Sequence, residues 1–149
     1  MFNLPFKYFK VCITFLLFLT TKTMVSQAKK IDSLKEVALN ETMPDTLRLK
    51  AKLDIIDYIY LKQLDTLLPL SKEVIKEVNL KIKKGQNTNN YNIFKLKAFD
   101  NLGYYFRQKE NQDSAIFYYE KAILIATKLK DVKKISSICL LYTSDAADD

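Results

Sequence analysis

Between Phe99 and Lys130 the chain reads FDNLGYYFRQKENQDSAIFYYEKAILIATKLK, and this stretch leaves little freedom in the fold. Apolar or small residues recur at Phe99, Leu102, Gly103 and Phe106. They recur again, past a polar interruption, at Ala115, Tyr119, Ala122, Ala126 and Leu129. Steps of three and four put each set on a single helix face, so two helices joined by a turn are predicted. Gly103 on one face and Ala115 with Ala122 on the other allow the two backbones to approach closely where these small residues oppose each other, which gives an antiparallel hairpin.

The same spacing occurs upstream. Leu49, Leu53, Ile56 and Tyr60 share a face within Asp45 to Lys62, and Leu67, Leu70, Val74, Ile75 and Val78 share one within Asp65 to Lys84. Setting Asp65-Thr66-Leu67-Leu68 on Asp113-Ser114-Ala115-Ile116 places Val74 on Ala122 and Val78 on Ala126, while Leu53, Ile56 and Tyr60 fall on Phe99, Leu102 and Phe106. The upstream pair is therefore a degenerate repeat. It has Asp57 where the later one has Gly103, so its helices are expected to sit further apart. Pro69 falls in a first turn, where a missing amide hydrogen costs little.

Together these residues resemble the tetratricopeptide repeat, which runs over about 34 residues. Phe99 stands where that family has Trp, Leu102-Gly103 match its Leu-Gly, Phe106 its Tyr, Ala115 its first Ala, Tyr119 its Phe and Ala122 its second Ala. Thr127 replaces its late Pro. The resemblance implies an all-α fold of antiparallel helical hairpins stacked as a short solenoid. It also implies a scaffold whose partners are set by variable surface residues.

The organisation expected is a signal peptide over 1–28, a capping helix within 29–44, the degenerate repeat over 45–90, the better repeat over 91–130, the start of another over 131–138 and a non-native tail over 139–149. Met1 to Lys10 carries Lys7 and Lys10 and no acid, and Val11 to Leu19 is apolar. That run is about nine residues where a membrane span needs roughly 20. Ser26-Gln27-Ala28 then supplies the small residues a signal peptidase accepts, which favours a removed leader and export over an anchor. Cys12 sits inside the apolar run, unlike a lipoprotein cysteine. Ile31, Leu34, Val37 and Ala38 give the capping helix an apolar side, and Pro44 ends the turn after it, with Asp45 or Thr46 placed to cap the next helix. Asn40-Glu41-Thr42 matches a glycosylation acceptor, although Asn at a helix C-terminus also serves as a cap. Lys81 to Tyr91 is the irregular insertion, with Gly85 a helix stop and Gln86 to Asn90 a polar loop. Its lysines read either as favourable charges at a helix C-terminus or as a loop that touches an acidic partner. At the end, CLLYTSDAADD drops the helical charge pattern and resembles a translated sequencing adapter, so the natural protein is expected to continue past Ile138.

The chain carries a net charge of +7, with no His and two Cys. Setting both ends aside leaves the net charge unchanged, because the leader holds three Lys and the tail three Asp, and it leaves no Cys. Cys/His metal sites, thiol nucleophiles and imidazole triads are thereby excluded from the middle of the chain. Only two glycines occur, which argues against a phosphate-cradling loop. No catalytic constellation, metal site or cofactor is expected. The lysines read as a solvated surface spread over helix faces, and nucleic acid is not an expected partner.

What remains is an interaction module. In the family resembled, the first helix of each repeat lines a concave groove. The corresponding residues are Asp54, Asp57, Tyr58 and Leu61 on the earlier repeat, and Lys97, Asp100, Asn101, Tyr104 and Gln108 on the later one. The expected occupant is a protein or peptide, or the chain's own domain beyond Ile138, with membrane contact only through such a further segment. The leader, the Ile31-Asp32-Ser33-Leu34 opening and the Pro44-Asp45-Thr46 turn also resemble the sensor half of bacterial signalling proteins. In those, such repeats precede a membrane helix and then a histidine kinase or a helix-turn-helix regulator.

Overall fold

The periodicity is realised in a computed structural model that describes residues 28–61, 63–86 and 88–145, so the expected leader, apart from Ala28, and the last four residues of the tail lie outside the described residues. Six helices and no strand occur among the described residues. They are α1 (28–39), α2 (Asp45–Ile59), α3 (Leu64–Lys83), α4 (Thr88–Gln108), α5 (Gln112–Leu129) and α6 (Val132–Asp145). The short connections fold α2 with α3 and α4 with α5 into antiparallel hairpins. α4 lies against α2 and α3, and α6 lies against α5, so the hairpins stack. The 48-residue offset of the two repeats carries the start of α3 at Leu64 onto the start of α5 at Gln112. It also carries the buried residues Leu67, Ser71, Val74 and Val78 onto the buried Ala115, Tyr119, Ala122 and Ala126.

Local chemistry sets the ends. Asn111 caps α5, its Oδ1 accepting from the Ser114 amide at 3.1 Å, and Asp131 does the same for α6 through the Lys134 amide at 3.0 Å. Gly85, at φ 72°, takes the left-handed turn after α3 that a residue without Cβ adopts freely. Four expectations are corrected. Pro69, expected in a first turn, is the sixth residue of α3 and lies inside the helix, because α3 begins at Leu64. Pro44 rather than Asp45 or Thr46 holds the N-cap position of α2 and offers no side-chain cap, although the Asp45 carboxylate does accept from the Thr46 backbone amide in the first turn. The polar loop after Gly85 is shorter than 86–90, because Thr88, Asn89 and Asn90 form the first turn of α4, where polar residues are well accommodated. And α6 runs through Cys139 to Asp145, so the loss of the charge pattern there does not end the helix.

From that first turn the Asp45 carboxylate also joins three elements. It pairs with Lys81 at the end of α3 and lies 3.0 Å from the Tyr91 hydroxyl at the start of α4, which is itself 3.2 Å from Gln86 Oε1. The Lys81 ammonium holds Asp45 below its ordinary 3.8, with the Tyr91 hydroxyl helping against the opposing effect of burial. A carboxyl lowered by folding stabilises fully above its unfolded pKa, and that stability is lost as the pH falls through the folded value. Asp45→Asn is therefore expected to lower the urea midpoint at neutral pH. The gap to the parent should close on acidification below 3.8. A gap independent of pH would place the loss in packing rather than in charge.

The core has two parts that share α4. One gathers Leu49, Leu53, Ile56, Leu67, Val74 and Val78 with Tyr91 and Ala98, and α1 lays Ala38, Leu34 and Ile31 against it. The other gathers Ala115, Tyr119, Ala122 and Ala126 with Leu96 and Ile138. α2 is buried over a broad arc, since Ala51, Lys52, Ile55 and Ile59 are covered as well. Within that arc the Lys52 ammonium reaches Glu73 at 2.9 Å and Glu77, both on α3. The meeting of α4 and α5 differs from the expected one in its partner. Opposite Gly103 stands the ring of Tyr119, where small residues were expected: a Cβ at Gly103 would lie 2.5 Å from Tyr119 Cδ1 and Cε1. The glycine makes room for a buried aromatic. Phe99 and Phe106 follow α4 along the same seam, Leu102 is buried, and Tyr118 stacks on Phe106 at 5.3 Å with an 8° interplanar angle.

Candidate functional site

Because α2, α4 and α6 each open a hairpin or follow one, the stack brings them to a common side, where two clefts meet at Asp57. The first is lined by Lys30 and Leu34 of α1 with Asp54, Asp57 and Tyr58 of α2. The second is lined by Asp57 and Tyr60, by Asp100, Asn101 and Tyr104 of α4, by the edge of Tyr119 and by Leu141 of α6. At about 280 and 180 Å³ they are smaller than the roughly 300 to 1,000 Å³ of typical small-molecule sites.

The charges are arranged in opposite pairs along this groove. Lys97 Nζ lies 3.5 Å from Asp57 Oδ2 and so ties α4 to α2. Lys134 pairs with Asp100 and ties α6 to α4, while Lys50 pairs with Asp54 one turn away on α2. Lys30 Nζ sits 5.0 Å from the centre of the Tyr58 ring, and a hydrogen bond to the Tyr58 hydroxyl holds the ammonium above its ordinary value. The aromatic content is concentrated in Tyr60 and Tyr104, which meet edge-on at 5.6 Å and 72°. Tyr104 is half-buried against the first core while still lining the second cleft.

Of the residues assigned to the groove from sequence, Asp54, Asp57, Tyr58, Asp100, Asn101 and Tyr104 line the clefts, and Lys97 stands on the rim against Asp57. Leu61 and Gln108 are exposed and line neither cleft. Tyr60, expected on the core face with Ile56, is 39% exposed, because α2 stops at Ile59 and the residue after the helix end no longer follows its stripe. Lys30, Leu34 and Leu141 lie on helices that pattern alone did not bring to this side. Of the small-and-aromatic set, Phe99, Gly103, Phe106, Ala115, Tyr119 and Ala122 gather where α4 meets α5, and Leu102 is buried.

Among the described residues no cluster of His, Cys, Asp or Glu could hold a metal ion, and no helix is long and apolar enough to cross a membrane. No family model, curated protein or solved structure matches the chain.

Proposed function

We propose that the chain is an exported interaction module of the tetratricopeptide type, and that the groove along α1, α2, α4 and α6 holds an extended segment of a protein partner. The observation that carries this reading is the edge-on pair of Tyr60 and Tyr104 beside Asn101, set in a rim of opposite charge pairs. Aromatic anchors inside a polar rim are how peptide-holding surfaces concentrate their binding energy. The Asn101 amide can pair with a peptide backbone, and the balanced rim favours a ligand with few net charges over a strongly acidic or basic one. The seven-residue match from Phe99 to Ala122 supports the family, and the basic start followed by an apolar run supports export.

A peptide selected from a displayed random library against the whole chain supplies the test. Tyr104→Ala is expected to weaken that peptide by about 30-fold, the equivalent of roughly 2 kcal/mol for losing a central anchor. Asn101→Arg, which fills the second cleft without touching the core, is expected to do the same while leaving the thermal midpoint in place. Selected peptides that bind both variants as tightly as the parent would remove the groove from the binding surface.

A further inference from the structure

On the groove side every carboxylate named above has its lysine. The opposite side, formed by α3 and α5 with α4 between them, is different. Lys72, Lys76, Asn79 and Lys83 follow one another at steps of four, three and four on the outer face of α3. Asn79 accepts a hydrogen bond from Lys95 of α4, whose Nζ lies 2.7 Å from its Oδ1. Across α4 stand Lys121 and Lys128 of α5, and burial, then Lys128 and Lys121, push the Lys95 ammonium below its ordinary value. Among the described residues none of these six lysines is paired with a carboxylate. Read along the chain they are dispersed, and the fold collects them.

Apolar side chains are interleaved with them. On α5 the stripe runs Phe117, Lys121, Leu124, Lys128, with Phe117 50% and Leu124 55% exposed, and on α3 Leu80 is 51% exposed between Lys76 and Lys83. Lys121 Nζ rests 5.1 Å from the centre of the Phe117 ring. Unpaired ammonium groups around half-exposed Phe and Leu are the composition of a surface that lies on a lipid headgroup layer: the apolar groups enter its edge and the lysine stems reach outward to the phosphates. All the cations here are lysines, and both arginines of the chain, Arg48 and Arg107, lie elsewhere. Lysine is a point charge suited to many headgroups, whereas a carboxylate-bearing peptide is better gripped by the bidentate guanidinium fork.

We propose that the α3–α5 face docks on a membrane surface that contains anionic lipid, with Lys95 receiving a headgroup phosphate between Lys121 and Lys128. Sedimentation of the whole chain with vesicles of phosphatidylcholine alone, or with about a third phosphatidylglycerol, tests this. Binding to the anionic vesicles is expected to exceed binding to the neutral ones and to fall as salt rises from about 0.05 to 0.5 M. Two variants carry the same leader and the same net charge, Lys95→Gln/Lys121→Gln/Lys128→Gln and, on other faces, Lys35→Gln/Lys50→Gln/Lys97→Gln. The first is expected to lose roughly fivefold per lysine, about a hundredfold in all, and the second far less. Should the first fail to fold, judged by its thermal midpoint, the exposed pair Lys121→Gln/Lys128→Gln is expected to lose about 25-fold instead. Equal losses in the two triple variants, or no preference for anionic vesicles, would overturn the proposal. Loss of poly-glutamate binding with vesicle binding intact would do so as well, by assigning the face to an acidic polypeptide.

Discussion

Gly103→Leu is expected to be among the most destabilising single substitutions in the chain, although leucine is the better helix former. Even the first carbon of a new side chain would lie 2.5 Å from two carbons of the Tyr119 ring and 2.9 Å from a third. That ring is 2% exposed, with Ala122 and Ala115 buried beside it, and only its edge reaches the second cleft, so giving way would mean moving the ring out of its packed site. Overpacking of this kind costs on the order of 1 to 3 kcal/mol, against a helix-propensity gain of at most about 1 kcal/mol. Gly103→Ala should then be mildly destabilising and Gly103→Leu clearly so, at roughly 2 to 4 °C in thermal midpoint per kcal/mol for a chain of about 150 residues. Shortening the opposing ring gives the sharper measurement. In a Tyr119→Leu background Gly103→Ala should cost less than in the parent, because the two positions share one volume and their effects do not add. Strict additivity, or a Gly103→Leu chain as stable as the parent, would mean that α4 and α5 do not meet there.

That contact also marks how far the sequence could be read. The helices themselves were legible, because burial on one side forces the three-and-four spacing whatever the partner is. Leu49, Leu53 and Ile56, and Val74 with Val78, lie where that spacing puts them. The hairpins followed from the short polar connections. Which residue faces Gly103 was not legible, since one helix's periodicity carries no information about the axial offset of its neighbour, and a ring filled the space assigned to small residues. Tyr60 was misplaced for a related reason: a stripe continues only as long as its helix does, and α2 ends one residue earlier. The groove was legible through the fold. Once α2 and α4 open their hairpins, the sides of Asp57 and Asn101 turned away from the core must share a surface. The shares of α1 and α6 in it depend on helix-to-helix angles that no local pattern records.

Lys52 is the residue whose surroundings the sequence least disclosed, and it underlies a prediction as large as the first. It lies in the buried arc of α2 with a side chain 7% exposed, beside Leu53 and Ile56, and it reaches Glu73 and Glu77 across the seam with α3. Burial pulls the ammonium's pKa down, yet the hydrogen bonds with Glu77 and Glu73 outweigh it and hold the group above 10.5. The charge therefore persists at neutral pH, and removing both counter-charges leaves it enclosed. Glu73→Gln/Glu77→Gln is expected to cost on the order of 3 kcal/mol, at the low end for breaking a buried ion pair because Glu73 is half exposed. Adding Lys52→Met removes the stranded ammonium while keeping the length of the side chain, and replacing a buried ionic cluster by an apolar group of similar volume is often neutral or better. The triple variant should thus recover to within about 1 kcal/mol of the parent, read as urea midpoints with an unchanged slope. If the double variant matched the parent, the Lys52 ammonium would be finding water through the α2–α3 seam, and its two glutamates would be surface partners of little weight.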